Sequence, residues 1–160
     1  MKVDFHSGVV DKVGTACRLL RKAQAAGATV VVCGDRVTLD RLDVALWTFD
    51  PLSFVAHARV RGAAPAPAMA RTPTWLADDP ATVAARGVLL NLGPDMAAGW
   101  EQFERVVELV AADAQEAGAG RLRWRQYSQR PGVDLVHHTR GAGVIAARVA
   151  ADGVARRGAG

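Results

Sequence analysis

Apolar residues recur along this chain at two spacings, and the switches between them mark its elements. Val3 to His6 reads as a short first strand. Asp11 stands where a helix N-cap belongs. After it, Val13, Ala16, Cys17 and Leu20 recur at helical spacing, with Arg18, Arg21 and Lys22 on the other side. Gly27 stops that helix. Ala28 to Cys33 (ATVVVC) is a continuous, β-branched apolar run, the pattern of a strand covered on both faces. Strand, helix and strand in this order predict a right-handed parallel crossover.

Gly34-Asp35 turns the chain into a second helix, about Val37 to Trp47, which Pro51 ends. Phe54 to His57 reads as a brief strand. Arg59 to Arg71, rich in Ala, Pro and Gly, reads as a surface loop. Thr74 to Leu76 is a weak strand, and Val88 to Leu92 (VLLNL) a strong buried one. Trp100 to Ala114 reads as an amphipathic helix, with Trp100, Phe103, Val106, Val107 and Val110 on one stripe. Another helix runs from Arg121 to about Arg130, closed by Pro131-Gly132, and Val133 to Val136 reads as the last strand. Helices alternating with apolar strands predict an α/β fold: a three-layer α/β/α sandwich around a mostly parallel, mixed sheet. The expected organisation is one domain over residues 1–138 and an Ala-, Gly- and Arg-rich tail over 139–160. That tail has no aromatic anchor and is expected to be flexible or a frayed helix.

Composition narrows the class. At 160 residues the chain has the length of one domain with a real core, and half of its residues are hydrophobic, as in ordinary globular proteins. Cys17 and Cys33 each sit in an apolar run, so reduced core thiols are expected. No apolar stretch reaches the roughly 20 residues that span a bilayer, and MKVDFHSGVVDK lacks a signal-peptide core, which points to the cytoplasm. The sequence pI near 9.7 hints at nucleic acid. The charge map does not support it. Arg140, Arg148, Arg156 and Arg157 against Asp152 place three of the four net positive charges past Thr139. The domain is left nearly neutral, without a basic face.

Enzyme signals are thin. Gly34-Asp35 lacks the glycines and lysine of a phosphate-binding loop, and Gly141-Ala142-Gly143 lacks the third glycine of a dinucleotide fingerprint. Asp35 reads as a helix cap rather than a ribose ligand. His137 and His138 point to opposite faces of a strand and cannot share one ion; His6 and His57 are isolated. Ser7 and Ser53 have no nucleophile-elbow context, and Asp78-Asp79 reads as a solvated turn. Neither cofactor nor metal is expected. The alternative kept open is a nucleotide-binding enzyme on a Rossmann-like fold.

Two segments carry more binding chemistry than a core needs. At roughly 100° per residue, Leu39, Leu42, Ala45 and Leu46 form one stripe of the second helix, and Trp47 falls roughly 130° away with Val44 beside it. Phe49, Leu52 and Phe54 follow around Pro51. These rings either fold back into the domain or form a protein interface. In the later helix, Arg121, Trp124, Arg125 and Ser128 share a face, with Tyr127 flanking Trp124 and with Arg123 and Arg130 beyond it. Such a face suits an acidic, aromatic chain end. Two other readings stand beside it: a solvated basic helix with a core tryptophan, and a stacking surface for single-stranded nucleic acid.

These blocks resemble the DNA polymerase III chi subunit family. RLDVALWTFDPLSFVAH (Arg41 to His57) is similar to its helix-and-loop signature, with Ala56 where the family pattern has proline. RGVLLNLG (Arg86 to Gly93), WEQFERVVELVA (Trp100 to Ala111), RLRWRQYSQRPGVDLVHH (Arg121 to His138) and the opening VDFHSGVVDKVGTACRLLRKAQAAG agree in order. The resemblance implies a three-layer α/β fold without nucleotide activity. It implies a non-catalytic subunit that bridges the psi subunit of the clamp loader to the acidic, phenylalanine-ended tail of the single-stranded-DNA-binding protein, touching DNA only indirectly. By position it places Arg121, Trp124 and Arg125, with Tyr127 alongside, at the tail site. It places Trp47, Pro51 and Phe54 at the psi-facing corner.

Overall fold

A computed structural model of the protein describes residues 1–139. Those residues form seven strands and three α-helices. In chain order these are β1 (Lys2–Val9), α1 (Lys12–Ala25), β2 (Val30–Cys33), α2 (Arg36–Thr48), β3 (His57–Val60), β4 (Thr74–Ala77), β5 (Val88–Asn91), β6 (Arg105–Ala111), α3 (Ala114–Ser128) and β7 (Asp134–His138). The strands make one sheet in the order β3-β4-β2-β5-β6-β1-β7. Every pairing in it is parallel, so the sheet has no antiparallel component. The result is a Rossmann-like α/β sandwich.

All three helices start the same way. Asp11, Asp35 and Asp113 each accept a backbone N–H three residues on, from Gly14, Thr38 and Glu116, at 3.0 Å. Such a cap contributes about 1 kcal/mol and fixes where the helix begins. α1 and α2 bury Cys17, Leu20, Leu39, Leu42 and Leu46 against one face of the sheet, with Val32, Leu90 and Val107 beneath. α3 covers the other face, where Tyr127, Trp100 and Trp75 pack over Phe5, Leu89 and Val106. α3 sits close because Gly120 faces Val110; a Cβ there would stand 2.8 Å from a valine methyl. Both cysteines are buried and unbridged, and burial pushes the Cys17 thiol up to about 11.

Several expectations need correction. Trp100 to Ala114 is no helix: Trp100–Gln102 is a single 3-10 turn, and β6 follows. Val106, Val107, Leu109 and Val110 are buried on both sides of the sheet, and a continuous apolar run satisfies helical and strand spacing alike. β3 runs from His57 to Val60, taking the start of the expected loop and leaving Phe54 outside. β4 is a fully buried interior strand rather than a weak one. α3 begins at Ala114, one and a half turns or more before Arg121; Gly118 and Gly120 hid its first half. The expected tail lies outside the described residues apart from Thr139.

Candidate functional site

The orientation of α3 is set from inside. Its buried residues are Gly120, Arg123 and Tyr127. Below them Glu108 of β6 is fully buried. It accepts hydrogen bonds from Arg123 Nε at 2.9 Å, Tyr127 Oη at 2.9 Å and Asn91 Nδ2 at 3.1 Å. Arg123 Nη1 also donates to the Pro94 carbonyl at 2.6 Å. Burial raises the Glu108 carboxyl above its ordinary range, opposed by the charge of Arg123 and the bonds from Asn91 and Tyr127. Removing one partner of such a pair costs about 3–5 kcal/mol, because it strands the other charge.

With Arg123 and Tyr127 held inward, Arg121 and Arg125 lie roughly 200° from Arg123 around the helix and face solvent. Neither has an acidic partner among the described residues. Leu122 beside them is 60% exposed. Trp124 is half-buried at the border. Its ring stands edge-on to Phe5 (centroids 5.2 Å apart) and to His137 (5.7 Å). Arg121, Trp124 and Arg125 are therefore together on an open surface. Tyr127 is not: its ring is sealed under α3 and its hydroxyl is committed to Glu108. The expected flank of Trp124 is thus corrected, with Tyr127 serving as packing beneath the surface. Arg123, expected beyond it, is buried as well.

The second surface lies at the end of α2. Trp47 is 60% exposed, Phe54 65% and Leu52 96%, with Val44 and Pro51 also exposed. The rings do not fold back into the domain, and Phe49 alone of the group packs inward. Trp47 and Phe54 stand 5.6 Å apart. The loop that carries them is tied down. Asp50 accepts from the Leu52 N–H at 3.0 Å, Ser53 Oγ at 2.8 Å and Arg21 Nη1 at 2.9 Å. Those bonds, led by Leu52 and Ser53, hold the Asp50 carboxyl below its ordinary range. His57 props Trp47 from behind, 5.0 Å away. Its Nδ1 faces the Val55 carbonyl at 2.7 Å and its Nε2 faces Asp43 Oδ1 at 2.9 Å. A carbonyl only accepts, so Nδ1 donates to Val55, and Nε2 lies against Asp43. The corner is a preformed aromatic surface.

The family model for "DNA polymerase III chi subunit, HolC" matches residues 1–135. The chain belongs to the DNA polymerase III chi subunit family. A DNA polymerase III subunit chi from Pseudomonas aeruginosa is 30% identical over 142 residues, covering 86% of this chain and 95% of the relative. Chi-family proteins are accessory subunits in DNA replication, which places both surfaces on a component of a larger assembly.

At the carboxyl ends of the strands, where Rossmann folds seat nucleotides, two polar side chains bond within the chain itself. Asp35 is bonded to Thr38, and Asn91 bonds the Gly93 N–H and the Asp95 carbonyl at 2.9 and 2.8 Å. A cavity of about 1200 Å³ lies at the amino ends of the strands, between Thr29, Trp75, Val83 and Arg86. Among the described residues no helix is long and apolar enough to cross a membrane, and no three His, Cys, Asp or Glu side chains converge on a metal position. His137 and His138 do take opposite faces: His138 Nε2 bonds Asp4 Oδ1 at 2.8 Å inside, while His137 is exposed. Sequence reasoning missed Glu108 and Arg123 as the pair that orients the site. The signal was a lone acid inside VVELV, a run buried on both faces, which requires a buried base.

Proposed function

We propose that this chi-family protein is a non-catalytic adaptor of the bacterial DNA polymerase III holoenzyme, acting in the cytoplasm. The α3 surface of Arg121, Trp124 and Arg125 takes the acidic, phenylalanine-ended C-terminal tail of the single-stranded-DNA-binding protein. The corner of Trp47, Pro51 and Phe54 takes the psi subunit of the clamp loader. DNA is reached only through the coated strand. The observation that carries the reading is the pair of outward arginines, without acidic partners among the described residues, bracketing a half-buried tryptophan. Guanidinium forks supply charge-assisted bonds to carboxylates, and the indole edge supplies an apolar seat. The exposed, braced rings of the corner are the anchors that commonly dominate protein interfaces. A modest affinity at each surface suffices, because joining two partners raises their effective concentration.

A fluorescent acidic peptide ending in phenylalanine is the direct probe. Titrated into the protein at low salt, it is expected to give saturable one-to-one binding that weakens as salt screens the arginines. Absence of saturable binding at low salt contradicts the reading.

A further inference from the structure

We propose that Ser7 and His137 extend the α3 site and that His137 contacts the terminal carboxylate of the bound chain end. The inference rests on the α3 surface taking an acidic chain end, as argued above. Strand alternation turns His137 of β7 toward the α3 side and His138 away from it. The His137 ring meets the Trp124 indole edge-on at 66°, so it borders the same seat from the side of the sheet. Its Nε2 is 2.6 Å from Ser7 Oγ.

Ser7 is placed for this by a break in β1. The pairing of β1 with β6 slips between His6 and Val9, and Gly8 takes φ of 71°. There the serine hydroxyl turns to the neighbouring strand. Oγ–H can donate to Nε2, and when it does the ring carries its hydrogen on Nδ1. Nδ1 has no partner among the described residues and His137 is exposed, so that donor is presented beside Trp124. A chain that lays its last aromatic ring on Trp124 carries its own terminal carboxylate next to that ring. The carboxylate then meets arginines on the helix side and the imidazole on the strand side. The positioning role belongs to Ser7, and the contact to His137.

The test pairs a protein change with a ligand change. An acidic peptide ending in phenylalanine is prepared with a free terminal carboxylate and as its amide. Both are titrated into the wild-type protein and into His137→Ala, His137→Gln and Ser7→Ala, each checked for an unchanged melting temperature. The wild type should favour the free acid by about tenfold or more, the usual worth of a charge-assisted bond. His137→Ala should lose part of that preference, the arginines keeping the rest, while binding the amide as the wild type does. His137→Gln, which keeps a donor, should recover part of it, and Ser7→Ala should fall between. Equal weakening of acid and amide in His137→Ala, or no change in either, overturns the inference and leaves the α3 reading standing. Failure of both peptides to bind the wild type removes the α3 reading and this one with it.

Discussion

Arg123 and Arg125 stand two positions apart on α3 and have opposite surroundings. Arg123 is locked to Glu108 in the interior; Arg125 is exposed, with no acidic partner among the described residues. The same chemical change should therefore give different results. Arg125→Glu is expected to weaken the acidic peptide by about tenfold or more, by replacing attraction with repulsion, with the melting temperature unchanged. Arg123→Met leaves Glu108 without its cation and should lower unfolding free energy by about 3 kcal/mol or more in a urea titration. A stable Arg123→Met protein contradicts the view that this pair orients the helix. At this scale spacing made much legible: Arg121, Trp124 and Arg125 follow from i, i+3 and i+4. Tyr127 did not, because its partner Glu108 comes from another strand, 19 residues earlier, and helical spacing does not see across elements.

Elements were readable where their ends carried side-chain signals. Asp11 and Asp35 are aspartate caps, legible as such, and the core stripe of α2 follows from its period, so that Trp47 and Val44 emerge on the solvent side as the spacing predicts. β6 was misread because its valines serve two faces at once and its only acid, Glu108, looked like a helix's polar side. α3 was read half its length because two glycines weaken helical propensity, and what they provide, close approach to Val110, is a tertiary gain. The α2 corner yields a prediction of its own. Trp47→Ala removes an exposed ring and should leave the melting temperature within about a degree, since surface changes usually cost little. Binding of the psi subunit, followed by co-elution on a sizing column, should be lost. Undiminished co-elution contradicts the corner assignment.

Across the whole molecule, the two surfaces belong to opposite sides of the sheet: α2 with one core cluster, α3 with the other. They should act independently, so Trp47→Ala is expected to change peptide affinity by less than about twofold, as for distant sites. The sheet that separates them is clamped by Asp4, fully buried on β1. It accepts from Arg105 of β6 and His138 of β7, both at 2.8 Å. Burial alone would raise the Asp4 carboxyl, but the bond from His138 and the charge and bond of Arg105 outweigh it, and the group titrates below its ordinary value. A depressed acid stabilises the fold above the unfolded value, about 3.9 for aspartate, and loses that contribution as pH falls through the folded value. The stability gap between wild type and Asp4→Asn should therefore shrink in acid below about pH 4. A gap that widens in acid contradicts it. The layered, largely parallel architecture was legible from alternating apolar runs. The order of strands was not, since it depends on which edges meet.

The geometry of α3 is open to one direct measurement, the mapping of amide and indole resonances on adding the acidic, phenylalanine-ended peptide. The shifts should gather on Arg121, Leu122, the Trp124 indole and Arg125, with Trp47 and Phe54 silent. Shifts that gather at the α2 corner or scatter over the surface, with α3 unmoved, would contradict the account.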